Sequence, residues 1–440
     1  MLASLVVLLI IVGCAALQFL KGTTVRAIAG IIIAIIASIA AFSFFEAMAG
    51  MIITRGTEGM FLTLAPWAQS ISFILIFIIV FAILQTIAIY LTREKVDLGL
   101  WPERIGRVVC GFLLGLIVSG VLMTTLAMAP LPGKIPYQRF DSANVKLDEP
   151  GKVLFNTDAF VSGLFGTISN GSLSGKRSFA SLHPNFPDQL FLNRLTKGVA
   201  TLSSKTPAIE VPRDKAVWPA SEALKKQIEE LNSKGELSRI LGKPKGSYNL
   251  TVVRIGFKRS ALSSKEKINA GVFTTSQLRL ICKRRGEEQL SGKGINIFPV
   301  GYLKSANQIE TASKIELDRT NDFRDSNTRD IDFVFCIPND FVPAFVEFKQ
   351  NSIAEIREAA IIKDISEAPS PAVYVPSSGG GGGGQRGGFP EGGFPEGGPG
   401  RRGGGPRGQR GGQPQDDPES QAGQFTESIT GIETQSEMGY

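Results

Sequence analysis

Four apolar runs dominate the first 130 residues, at 2–20, 27–45, 71–91 and 108–129. Each is close to the roughly 20 helical residues that cross a hydrocarbon core about 30 Å thick. Phe73 to Val80 has no polar break. Such a run has no wet face, and in lipid a helix satisfies its own backbone. Trp67, Tyr90 and Trp101 sit at or near span ends, where amphipathic rings favour the headgroup layer. Too little polar chain separates the runs to cover them in a soluble fold. The first run lacks the basic segment that opens a cleaved signal peptide. Ile11-Val12-Gly13-Cys14 has the look of a lipoprotein box, but the apolar run continues beyond it, so Cys14 is read as packed inside a helix. The connection at 46–70 holds Met48, Met51, Ile52, Ile53, Met60, Phe61 and Leu62. It reads equally as an interfacial helical piece or as an irregular connection.

After the fourth run the pattern changes. Pro130, Pro132, Gly133 and Pro136 mark 131–150 as a linker. Residues 151–245 read as a mainly helical segment. Phe160, Leu164 and Ile168 recur every four residues behind Asp158, and Pro187-Asp188 opens a second helix carrying Leu190, Leu195 and Val199. Ser221 is an N-cap for Leu224, Ile228 and Leu231, and Gly235 is the matching stop. From 246 to 352 the period falls to that of strands, as in Asn249 to Phe257, Gln277 to Lys283, Ile331 to Ile337 and Phe345 to Lys349. The fold class expected is therefore mixed: a four-helix transmembrane bundle, a helical segment, then an antiparallel β-sandwich-like domain. Residues 353–376 read as helix or linker. Residues 377–440 are Gly/Arg/Pro-rich and then acidic, with Gly388-Phe389-Pro390-Glu391-Gly392 repeated once, and cannot bury enough apolar surface to fold.

Charge orients the spans. The chain holds 47 basic and 40 acidic residues, but residues 1–133 contain only 7 and 5 of them. The net +7 therefore belongs to no single surface. Lys21 and Arg26 follow the first span, and Arg93, Lys95, Arg104 and Arg107 follow the third, against Arg55 alone after the second. By the positive-inside rule the basic loops are cytoplasmic, so the N-terminus and everything after residue 130 lie outside. The expected site is the bacterial inner membrane, multi-pass. In that compartment Cys282 and Cys336, each in a predicted strand, are open to disulfide formation. The Arg-Gly tail, an RNA-binding composition in the cytosol, then meets no nucleic acid and reads as a flexible tether. An inverted topology would make it a cytoplasm-facing RNA tether.

Two junctions carry more specific information. Lys21-Gly22 and Arg26 leave only a tight turn between the first two spans. Glu103-Arg104 precedes Gly111 and Gly115, with Ser119 one further step of four. Small residues four apart let another helix backbone approach closely. This arrangement resembles the CvpA family, the colicin V production proteins, over roughly residues 1–130. The family commonly has Asp-Arg and three glycines four apart. Here the acid is Glu103, and Arg107 occupies the first glycine position with Gly106 beside it. The resemblance implies a small integral inner-membrane protein linked to toxin production or export and to envelope upkeep, without catalytic residues.

Candidate chemistry elsewhere is thin. The chain has one histidine and four cysteines, too few for His-based metal sites or a disulfide scaffold. His183 precedes Pro184 in a turn-like stretch and reads as a loop residue. Gly171-Ser172-Leu173-Ser174-Gly175 is out of register for a nucleophile elbow. Asp325-Ser326-Asn327 begins like a calcium loop but meets Arg329 and no glycine. No catalytic residue, metal or cofactor is assigned. The expectation is a non-enzymatic membrane protein whose partners are lipid, other envelope proteins or further copies of itself. An oligomeric channel or transport component is the alternative.

Overall fold

The computed structural model describes residues 2–21, 23–54, 64–91, 99–142, 145–175, 177–195, 199–203, 206–243, 246–262, 270–286, 292–311 and 314–375. Four helices are long and apolar enough to cross a membrane. They are α1 (Leu2–Lys21), α2 (Thr24–Thr54), α3 (Ala68–Leu91) and α4 (Leu100–Met128). Helix α1 packs along α4, and α2 packs against both α3 and α4. Small side chains make the inner seams: Ala34, Ala37 and Ala41 of α2 are fully buried. Large apolar side chains point outward, among them Leu9, Ile32, Ile83 and Val109. An apolar surface of that extent is not left to water; it is a lipid-facing belt.

Helix α2 is longer than the apolar run. Its 31 residues span ~46 Å at 1.5 Å per residue, against a hydrocarbon core of ~30 Å. Met48, Met51, Ile52 and Ile53 continue this helix rather than forming a separate connection, whereas Met60, Phe61 and Leu62 lie outside the described residues. No breaker interrupts the chain after Phe45, and the added turns find partners beyond the bundle. The Phe42 ring meets Phe73 of α3 at 4.8 Å and also Phe165 and Phe179, each at 5.0 Å. Phe45 faces Phe73 and Phe186. One aromatic core thus joins α2 and α3 to the segment that follows α4.

That segment contains α5 (Thr157–Asn170), α6 (Phe179–Leu182) and α7 (Phe186–Asn193). The expected helices appear up to Asn193 and again at 222–233, but strands lie between them. Strands β1 (Ile209–Glu210) and β2 (Val217–Pro219) both pair with β3 (Tyr248–Lys258), so the sheet begins well before 246. Between them α8 (Glu222–Ser233) has the expected cap, with the Ser221 hydroxyl accepting from the Leu224 amide, and Gly235 follows at φ 72°.

The remaining strands are β4 (Ala270–Thr274), β5 (Leu278–Arg284), β6 (Ile295–Ile297), β7 (Gly301–Ser305), β8 (Gln308–Glu310), β9 (Lys314–Asp318), β10 (Thr328–Pro338), β11 (Phe341–Phe348) and β12 (Ser352–Glu355). All named pairings are antiparallel. One sheet runs β1-β3-β10-β7-β8 with β2 also on β3, a second runs β12-β11-β5-β6, and β4 pairs with β9. Phe333 and Phe335 of β10 share a core with Leu278 and Leu280 of β5 and Val346 of β11. Val334 and Cys336, on the other face, pack with Trp218, Leu224 and Ile228. The alternation read along β10 predicts one wet face, but α8 and the chain after β12 cover it. Asp332 is therefore fully buried. It is held by Arg254 at 2.7 and 2.9 Å and by the Ala372 amide at 2.7 Å.

The chain after 353 is not a helix or a free linker. It forms β12, bridges Val217 through Ile361, and ends in a fully buried Tyr374. The disulfide expectation is also corrected. Cys282 and Cys336 are free thiols in separate cores on different sheets. Burial pushes both thiols up, Cys336 to about 12. The tail from 376 lies outside the described residues.

Candidate functional site

At the basic end of the bundle, Gly22 lies outside the described residues and Lys21 closes α1. The Arg26 amide donates to the Thr23 hydroxyl at 3.3 Å. Thr24 donates to the Glu103 carbonyl at 3.1 Å, which ties the α1–α2 turn to the start of α4. Glu103 pairs in space with Arg107 one turn on, not with its neighbour Arg104, which is exposed. The residue standing in place of the first glycine thus completes an ion pair, and its guanidinium also reaches the Phe19 carbonyl at 3.4 Å. Close packing there passes to Gly106, where an added Cβ would lie 2.8 Å from the Thr24 methyl carbon.

Gly111 and Gly115 face α1. A Cβ on Gly111 would lie 2.6 Å from the Cα of Ala15, and one on Gly115 would lie 2.6 Å from the Cα of Ile11. The obstacle is backbone in both cases, so no side chain fits without separating the helices. Gly120 does the same work on another face, against Thr157 and Val161 of α5.

The other end holds a polar cluster that brings three parts of the chain together. Alternation along β5 turns Leu278, Leu280 and Cys282 into the core and Arg279 to the opposite side. Glu347 stands directly across from Arg279 in the β5–β11 register, and the two form a buried ion pair. Arg279 also donates to the Leu182 carbonyl at 2.8 Å and to Asn296 Oδ1 at 2.6 Å. Beside it lies His183, 5% exposed. Its Nε2 is 2.9 Å from Glu46 of α2, and its Nδ1 is 3.0 Å from Gln189 Oε1. Gln189 is oriented by donating its Nε2–H to the Pro184 carbonyl at 2.6 Å, so its oxygen faces the ring. The same Nδ1 lies 3.3 Å from an Arg279 guanidinium nitrogen, so one imidazole touches the spanning helix, the helical segment and the strand pair.

Around these groups lies a cavity of about 20 Å³, lined by Phe45, Glu46, Gln69, His183, Arg279 and Lys349 among others. A space of that size holds about one water molecule, not a substrate. Burial pushes the Arg279 guanidinium down to about 9, with the Glu46 carboxylate acting in the opposite direction. Burial likewise pushes the Lys349 ammonium down to about 8. Near it Gln69 of α3 donates to the Gln350 carbonyl.

The arrangement is a clasp between the bundle, the α6–α7 segment and the β5–β11 pair. The sequence reading of His183 as a loop residue misses it, because its partners Glu46 and Arg279 are distant in the chain. Among the described residues no group of three His, Cys, Asp or Glu side chains is placed to hold a metal. Near the stretch that begins like a calcium loop, Asp318 at the end of β9 accepts from the Thr320 and Asn321 amides at 2.8 and 2.7 Å.

No protein-family profile, curated protein or solved structure matches the chain. The resemblance to the CvpA family therefore rests on the uncharged first span, the long third span, the junction residues and the glycine spacing.

Proposed function

We propose that this chain is a non-enzymatic membrane anchor that holds a sandwich-like β domain in fixed orientation on the outer face of a bacterial inner membrane. Its role, on the resemblance to the CvpA family, is accessory to envelope maintenance and to colicin V-type toxin production or export. The observation that carries the reading is the clasp. Glu46 of a spanning helix, His183 of the helical segment and the Arg279–Glu347 strand pair meet within one set of contacts. A flexibly tethered domain needs no such joint; a scaffold that must present a surface to envelope partners at a set height does. The positive-inside asymmetry supports a placement of this end of the bundle outside the cytoplasm.

The test is genetic and biochemical. Deletion in the host should raise sensitivity to detergents and lower secretion of a colicin V-type toxin. Wild-type protein should restore both, and the Arg279→Ala clasp variant should restore neither despite membrane insertion. Purified protein in liposomes should add no ion leak. A steady, protein-dependent flux would replace the anchor with the channel alternative.

A further inference from the structure

The charge-free stretch beginning at Val153 has no counterpart among the four spans. From Val153 to Gly175 the sole charged residue is Asp158. That side chain is buried and accepts from the Tyr137 hydroxyl. The outward face of α5 presents Phe160, Gly163 and Thr167, with Leu164 half-buried beside them. Phe155, just before the helix, is 56% exposed although its backbone is left-handed at φ 56°. A bulky side chain in that conformation is held out against its own preference. Among the described rings it meets the edge of Phe112, at 5.7 Å, and Phe112 belongs to the lipid-facing belt of α4.

A ruler along the spans gives the depth. About 20 residues cross the core. Counted from the basic end, that length reaches Leu2 on α1, Glu46 on α2, the polar turn of Gln69, Ser70 and Ser72 on α3, and Met128 on α4. The four counts mark one plane, and the polar clasp begins there. Phe42 lies one turn short of Glu46, and Gly120 two turns short of Met128. Helix α5 packs at those two levels, with Phe165 stacked on Phe42 and Val161 against Gly120. At 1.5 Å per residue these two levels lie roughly 6–12 Å to the lipid side of the plane, and the Phe155 ring, which meets Phe112 sixteen residues short of Met128, reaches further, toward the middle of the core.

We propose that residues 153–175 form a fifth membrane element, an insertion in which α5 sets Phe160 and Leu164 against acyl chains of the outer leaflet while Phe155 reaches beyond them toward mid-bilayer. The proposal rests on the four-span reading. Depth fits the interfacial helix, whose apolar face sits ~5–10 Å into the headgroup and acyl boundary. Lys152, just before the charge-free stretch, has a stem long enough to bring its charge back to the headgroups, and Arg177, just after it, turns to Glu355 of β12 at 3.7 Å.

The experiment places an environment-sensitive dye on single cysteines in full-length protein, with Cys14 and Cys110 replaced by serine and the buried Cys282 and Cys336 retained. The protein is reconstituted in phosphatidylcholine–phosphatidylglycerol vesicles containing nitroxide-labelled lipids. Phe160→Cys is the principal site, and Gly163→Cys on the same open face serves if the first variant does not fold. Ile83→Cys on α3 reports a span, and Lys304→Cys reports the β domain. The dye at Phe160 should emit blue-shifted and be quenched about twofold or more by nitroxides high on the acyl chain. The dye at Ile83 should be quenched by deep nitroxides, and that at Lys304 by neither. Quenching at Ile83 with a water-like dye at both α5 sites overturns the insertion and leaves the spans standing. Loss of quenching at Ile83 as well overturns the spans and the insertion together. A shielded but unquenched α5 dye that crosslinks to a second copy also overturns it, replacing lipid with a protein neighbour.

Discussion

At the scale of single residues, the clasp depends on charges that cannot be left alone. Arg279 and Glu347 are 6% and 5% exposed at their side chains. Removing one partner strands the other in a poorly solvated site, a loss of about 3–5 kcal/mol. Arg279→Ala should therefore lower the melting temperature of the detergent-solubilised protein sharply, while Arg279→Ala with Glu347→Leu recovers part of the loss. Lys349 gives a pH signature. Its ammonium is held at about 8 rather than the usual 10.5 by burial. Between those values the unfolded chain binds the proton that the folded chain has released, so stability rises with pH across that window. Below pH 8 both states are protonated and the full burial cost is present. Lys349→Met should melt higher than wild type at pH 7 and should lack this part of the rise between pH 8 and 10. A wild-type slope retained in the variant would place the titrating group elsewhere. These residues are the least legible in the sequence. Arg279 sits on the polar side of an alternating strand, which reads as the wet side. Here that side is covered by the turn after α6 and by the end of α2, so the same alternation points to a buried pair. His183 carries no spacing signal because its partners come from other elements.

At the scale of elements, local signals serve well where an element is long or capped. The four spans follow from uninterrupted apolar length, and α8 from Ser221, a heptad-like apolar face and Gly235. Strands β3, β5, β10 and β11 show in their β-branched and aromatic runs. Strands β1, β2 and β12 have 2, 3 and 4 residues. They are too short to show a period and exist because β3 and β11 offer them an edge. The strap through Tyr374 is likewise fixed by tertiary contacts, above all the Arg254–Asp332 pair and the Tyr374 hydroxyl donating to the Glu316 carbonyl. The glycine steps of α4 are legible as small residues four apart, but only the fold shows which helix each one meets. Gly115→Leu places a branched side chain where the Cα of Ile11 lies 2.6 Å from the first added carbon. The expected cost is about 1–3 kcal/mol. It should appear as lower thermal stability in detergent and as lost crosslinking between cysteines introduced on facing turns of α1 and α4. Unchanged crosslinking would show that the two helices have another way to pack.

At the scale of the whole molecule, the two kinds of surface meet along one boundary. Apolar belts cover the spans; the clasp and the sheets lie at or beyond the end where α2 finishes and α3 begins, and the aromatic cluster around Phe42 lies just inside it. The basic residues Arg26, Arg104 and Arg107 are gathered at the opposite end. The folded domain sits at the end opposite these charges, and the reading proposed above makes that end extracytoplasmic by the positive-inside rule. The proposed envelope role, the proposed outer-leaflet seat of α5 and the reading of the Arg-Gly tail as a tether rather than an RNA binder all rest on that proposed placement. It is tested most directly by fusing alkaline phosphatase, and separately green fluorescent protein, after Tyr440 in bacterial cells. The account predicts an active phosphatase and a dark fluorescent protein. A fluorescent fusion with inactive phosphatase would put the domain in the cytosol and contradict it.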